Sequence, residues 1–224
     1  MDFRILGPLE VLDQGRRVSL RRGKDQALLA YLLLHANEFV ASDRLVDELW
    51  GERPPPTAAK ILQNAVSQLR KALGDDRLVT RPRGYMLRVE PGELDLERFE
   101  LLAERGRVAG DPRLLREALE LWRGEPLADL RDEPFAQRAS LQLEEARLAA
   151  HEDRLEADLA GGRHAELVPE LESLIAGHPF DERLYRQLML ALYRAGRPGD
   201  ALQVYRREPP QANLPRMGRS RNGH

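Results

Sequence analysis

Seven side chains between residues 60 and 71 have the types that recognise nucleic acid. Lys60, Gln63, Asn64, Ser67, Gln68, Arg70 and Lys71 all fall in TAAKILQNAVSQLRKAL, residues 57–73. Amides pair bidentately with adenine edges, while cations and hydroxyls hold phosphate oxygens. At about 100° per residue these side chains and Thr57 fill one arc of a helix. Ala58, Ala59, Ile61, Leu62, Ala65, Val66, Leu69, Ala72 and Leu73 fill the other. An isolated amphipathic helix is by default a solvated surface helix, but such a face ordinarily mixes Glu with Lys. This one contains no acid. Gln63, Asn64 and Gln68 are the candidates for base edges, and Arg70 and Lys71, late in the helix, for phosphates. Two further arginines, Arg81 and Arg83, flank Pro82 between β-prone runs at 78–80 and 85–89. The pattern predicts a hairpin in which Gly84 supplies a positive φ and the arginine tip clamps a phosphate backbone.

Such a face needs elements to hold it. Phe3–Leu12, interrupted by Gly7-Pro8, predicts two strands, and Arg17–Leu20 a short returning strand. Asp25–Asn37 is apolar on most sides and predicts a buried helix. Asp43–Trp50 predicts a short helix with Ser42 as its N-cap and Gly51 at its end. Pro54-Pro55-Pro56 cannot be helical, because consecutive prolines remove donors and clash with the preceding turn. Thr57 is then the expected cap of the polar-faced helix. Strands, three helices and a hairpin in this order predict a winged helix-turn-helix, whose third helix lies in the major groove.

Composition bounds the rest. The 224 residues suffice for two small domains, and Cys is absent, which excludes disulfides and thiolate chemistry. No apolar run has membrane-spanning length and no secretion signal opens the chain, so a cytoplasmic protein without a membrane partner is expected. Residues 1–90 carry net charge +3, residues 91–206 carry −8, and residues 207–224 carry +3. A basic first part beside an acidic second suits a nucleic-acid reader joined to a part that stays off nucleic acid. No phosphate-binding glycine loop, zinc-hydrolase HExxH or nucleophile elbow occurs, and the five histidines are scattered singly. Neither an enzyme nor a cofactor is expected.

After Pro91-Gly92 the chain becomes all-helical. Helices are predicted over 95–108, from Asp111-Pro112 to Trp122, over 135–159, 163–176, 181–195 and 197–207, with a loop at 124–132. LEADLAGGRHAELV (155–168) aligns with MLALYRAGRPGDAL (189–202) at an offset of 34 residues, the period of tetratricopeptide helix pairs. Tyr185, Leu188, Met189, Leu192, Ala201 and Tyr205 take the packing positions of the second copy. The predicted fold class is an N-terminal α+β winged helix-turn-helix, residues 1–93, followed by an all-α tetratricopeptide-like domain, residues 94–207. Residues 208–224, with three prolines and little apolar content, are expected to be a disordered tail.

These residues resemble a known family. QALLAYLLLHANEFVASDRLVDELWGERPP, then VSQLRKALG, LVTRPRGYMLRV and LDLERFELL, are similar to the streptomycete antibiotic regulatory proteins (SARP) and their actinobacterial relatives. The resemblance covers residues 3–206, with Leu49-Trp50-Gly51, Leu69–Leu73 and Gly84-Tyr85 in the family's order and spacing. It implies an OmpR-like winged helix joined to a bacterial transcriptional activator domain. It further implies a transcriptional activator that binds direct repeats of double-stranded DNA near promoters, contacts RNA polymerase holoenzyme and self-associates as a homodimer on DNA. The family continues beyond a position like Tyr205 into further helices. Here Glu208-Pro209-Pro210 follows, which implies a second domain without its final packing layer. The alternative reading is a protein-interaction adaptor that uses the tetratricopeptide-like domain and binds DNA weakly or not at all.

Overall fold

The computed structural model describes residues 1–51 and 53–207; the predicted disordered tail, 208–224, lies outside the described residues. Two compact units divide the chain, one running from Met1 to Arg154 and the other beginning at Leu155.

The first unit opens with β1 (Asp2–Arg4), β2 (Glu10–Asp13) and β3 (Arg16–Arg17), an antiparallel sheet in that order. Helix α1 (Lys24–Leu34) follows, and every residue from Ala27 to Leu33 is buried. This central position explains its lack of a polar stripe: neighbours cover it on most sides. Then come β4 (Val40–Ala41), α2 (Ser42–Trp50), α3 (Ala58–Leu73), β5 (Leu78–Arg81) and β6 (Gly84–Leu87). The hairpin has a third strand that the sequence pattern does not reveal. β4 pairs with β6, Val40 opposite Tyr85 and Ala41 opposite Gly84, giving the order β4-β6-β5. A two-residue strand is too short to show any periodicity. The arrangement is a winged helix-turn-helix, as expected.

The expected side-chain caps of α2 and α3 do not form. Ser42 is already helical, and its backbone N–H donates to the Arg83 carbonyl at 2.8 Å. The hairpin tip thereby satisfies one of the open donors of α2. Thr57 occupies the N-cap position of α3 without a side-chain bond. The prolines between α2 and α3 form a turn instead, in which the Pro55 carbonyl accepts from the Ala58 N–H at 2.9 Å.

Helices α4 (Asp95–Ala109) and α5 (Pro112–Glu120) form an antiparallel pair, and Asp111 caps α5 by accepting from the Arg113 N–H. Phe99 meets Trp122 edge-to-face at 5.2 Å in their shared core. The predicted loop at 124–132 contains a short 3-10 turn, Ala128–Leu130. Helix α6 (Pro134–Ala160) begins in this unit and is tied to the winged helix: Glu133 bonds Lys24 at 2.9 Å, and Arg138 pairs with Glu48.

Residues 93–98 lock onto β1. The Phe3 N–H donates to the Glu93 carbonyl at 2.7 Å. Asp95, 1% exposed, accepts from the Ile5 N–H at 2.9 and 3.0 Å and from the Leu6 N–H at 3.0 Å. Burial pushes its carboxyl above the ordinary range, while those N–H bonds and Arg123, 3.9 Å away, pull the other way. Glu93 is held down to about 2 from an ordinary 4.5, first by its bonds with Arg77 and also by those with the chain's amino terminus.

The second unit holds the end of α6, then α7 (His164–Gly177), α8 (Glu182–Arg194) and α9 (Pro198–Arg207). The 34-residue repeat recurs in its bonding. Gly161 N–H donates to Ala157 O, Gly162 to Leu159 and Arg163 to Asp158; the corresponding bonds are Ala195 to Ala191, Gly196 to Tyr193 and Arg197 to Leu192. The ion pair Arg163–Glu166 likewise recurs as Arg197–Asp200. Leu188 and Leu192 are buried as the repeat requires, but Tyr205 is 64% exposed. A repeat buries its face only against the next unit, and α9 is the last helix among the described residues.

Candidate nucleic-acid interface

Helix α3 is held from beneath. Ala58, Leu62, Ala65, Val66, Leu69 and Leu73 are buried, all but Ala58 in the core that contains α1, and Leu45 and Leu49 of α2 join the same core. Burying this row fixes the rotation of α3 about its axis, because each fully buried Leu or Val is worth about 1.5–3 kcal/mol. The opposite face is therefore presented outward. Lys60, Gln63, Asn64, Ser67, Gln68 and Lys71 are exposed, and none of their side chains bonds to another described residue. Ala59, on the apolar arc of the sequence pattern, is exposed as well.

Arg70 behaves differently from its neighbours. Its Nε and Nη2 donate to the Leu78 carbonyl at 3.3 and 3.0 Å, and Nη2 also meets Thr80 Oγ1. Its donors are turned inward, onto β5, so the side chain braces the hairpin against α3. The sequence shows a cation late in a helix; the carbonyl it binds becomes apparent only when the hairpin is folded back.

Arg81 and Arg83 are exposed on the hairpin tip, as the sequence pattern predicts. The turn is built otherwise than expected. The positive φ belongs to Arg83, at 69°, and Gly84 is required for closeness instead. A Cβ on Gly84 would stand 2.3 Å from the Val40 carbonyl oxygen and 2.5 Å from the Phe39 ring. The glycine lets β4 lie against the tip, and Phe39, 43% exposed, sits beside it. The structure thus gathers the exposed residues of α3 and the two wing arginines on the first unit, with Arg70 as the strut between helix and wing. Among the described residues no group of three or more His, Asp or Glu could hold a metal ion. Among them, too, no helix is long and apolar enough to cross a membrane.

Comparison with known proteins gives consistent matches over nearly the whole chain. A family model described as "Bacterial transcriptional activator domain" matches residues 94–209, and one described as "Transcriptional regulatory protein, C terminal" matches residues 15–87. The regulatory protein AfsR of Streptomyces coelicolor is 44% identical over 211 residues, covering 91% of this chain and 21% of AfsR. The regulatory protein DnrI of Streptomyces peucetius is 39% identical over 223 residues, covering 92% of this chain and 82% of DnrI. The solved structure of Mycobacterium tuberculosis EmbR in complex with a low affinity phosphopeptide superimposes with a TM-score of 0.87 at 37% identity, over 92% of this chain and 58% of that one. The chain therefore spans about a fifth of the length of AfsR and somewhat over half of the EmbR chain.

Proposed function

This chain belongs to the SARP family of transcriptional regulators, which is not a class of enzymes, and from that premise we propose that it is a sequence-specific DNA-binding activator whose α3 lies in the major groove. The observation that carries this reading is the outward face of α3, acid-free and with its amides and cations unspent on the fold. Gln63, Asn64 and Gln68 read base edges; Lys60, Ser67 and Lys71 meet bases or phosphates along the groove walls. Arg81 and Arg83 grip the backbone beside it, and Arg70 acts by holding them there.

The reading extends to the whole protein. It acts in the cytoplasm at the nucleoid, binds direct repeats near promoters with two copies side by side, and touches RNA polymerase holoenzyme through its helical part. Two features of the second unit support protein contact. Its helices repeat in the tetratricopeptide manner, a mode that serves mainly to bind proteins. Leu202 and Tyr205 on α9 are also 59% and 64% exposed.

Selection of bound fragments from random and genomic DNA, followed by footprinting, tests the proposal. Two protected direct repeats are expected, with binding that weakens steeply as salt rises. Recovery of unenriched sequence, or binding indifferent to salt, would overturn it in favour of a protein-interaction adaptor.

A further inference from the structure

The wing holds only one flank of α3. Residues 68 and 70 lie about 160° apart around the helix axis when measured across its exposed side. Arg70 marks the wing flank through its bonds to β5. Gln68 and Ala72 mark the other, where they line a depression of about 490 Å³ with Lys71 and with Ser19, Leu20 and Arg21 of the turn between β3 and α1. We propose that this second flank is a phosphate-binding edge, in which Arg21 and Lys71 grip the DNA strand across the groove from the wing. The inference rests on the reading that α3 lies in the major groove.

Three observations carry it. Arg21 and Lys71 are both exposed and line the same hollow, so a single backbone passing along α3 meets both. Of the cations at 16–24, Arg21 is the one that lines this hollow: Lys24 bonds Glu133, Arg17 lies 3.9 Å from Glu10, and Arg22 lines a separate hollow with Glu10, Asp129, Asp132 and Glu133. The amino-terminal end of α1 opens at the same place without a side-chain cap, which adds a partial positive charge. One acid, Asp25, also lines this hollow; it is half-buried, burial pushes its carboxyl upward and the charge of Arg21 pulls it down. A duplex presents two phosphate rows across a major groove about 12 Å wide. A reading helix with cations on both flanks is held against both rows, which fixes its depth and tilt.

The test uses the full chain, a selected DNA site and random DNA at several salt concentrations. Arg21→Ala is expected to weaken binding to both DNAs by the same factor, about three- to tenfold, and to lower the slope of log affinity on log salt by about 0.9. Arg22→Ala, in the acid-lined hollow, should leave both unchanged. Phosphate-ethylation interference should lose one set of phosphates in Arg21→Ala and a different set, on the other strand, in Arg83→Ala. A slope and interference pattern unchanged by Arg21→Ala, with wild-type binding intact, would overturn the second edge alone. Failure of the wild-type chain to bind any DNA would overturn the groove reading with it.

Discussion

Two sets of polar side chains in the first unit have opposite fates. Around residues 93–98 they are engaged by the chain itself: Asp95 accepts from two backbone N–H groups, Glu93 takes Arg77 and the amino terminus, and Arg98 takes Asp2. On the outward face of α3 and at the two arginines of the hairpin tip, Arg70 aside, they have no partner among the described residues. Residue type does not distinguish the sets, since each contains arginine. The difference lies in where their donors and acceptors end. A buried polar group must be paired within the fold, whereas an exposed unpaired one costs little and remains available to a ligand. The first set should therefore govern stability and the second recognition, and substitutions can break that division.

The largest stability effect is expected at Asp95. Asp95→Ala leaves the Ile5 and Leu6 N–H groups buried without an acceptor, at a cost of about 3 kcal/mol or more. Urea denaturation followed by circular dichroism measures it. A loss under about 1 kcal/mol would mean that β1 and α4 are held by apolar packing alone and that Asp95 is incidental.

Glu93 makes a prediction about acid. Its folded pKa lies below its unfolded value, so its contribution is fully present above about pH 4.5 and is lost as pH falls towards about 2. At about 1.4 kcal/mol per unit the shift corresponds to at most about 3.5 kcal/mol, and solvent screening of this surface cluster reduces it. Glu93→Gln should be less stable at pH 7 and should show a flatter decline over that window. Parallel pH profiles for the two proteins would contradict the assignment.

Arg70 lies on the border between the sets and so sharpens the comparison. If its donors serve the hairpin, Arg70→Ala should cost about 1–2 kcal/mol of stability and weaken DNA binding indirectly. Its salt slope should stay at the wild-type value, whereas Arg83→Ala should lower the slope by about 0.9 with little change in stability. A lowered slope in Arg70→Ala would instead place that guanidinium on a phosphate.

Arg70 also shows what sequence can and cannot reveal. The outward face of α3 was legible because a 3.6-residue period sorts side chains in or out without knowledge of any neighbour. The wing arginines were legible from the turn residues around them. Arg70 looked the same as Lys71 because its partner, the Leu78 carbonyl, is set by the fold-back of the chain. Asp95 reads as an ordinary acid in the first turn of a helix, yet its partners Ile5 and Leu6 lie 90 and 89 positions earlier. Strand β4 spans only two residues and leaves no pattern. The run RRVSLRRGK at 16–24 is visible as charge, but which of its cations are drawn into ion pairs depends on Glu10 and Glu133. What was missed is a set of long-range pairings, and what was found is local periodicity.

Asn64 should have the smallest effect on stability and a specific one on recognition. It is exposed on α3 and bonds to no described residue, so Asn64→Ala should change unfolding free energy by no more than about 0.5 kcal/mol. A bidentate amide–adenine pair is worth about 1–3 kcal/mol of discrimination, so the same variant should lose its preference at one base pair while keeping its affinity for random DNA. Gln68→Ala provides the contrast, because Gln68 borders the depression that holds Arg21. If it lies towards that flank, its loss should affect the outermost base pair of the site and Asn64 a more central one. Binding-site selection with each variant reads this directly. The same lost position for both would mean that α3 sits in the groove at a different rotation from the one its buried row sets.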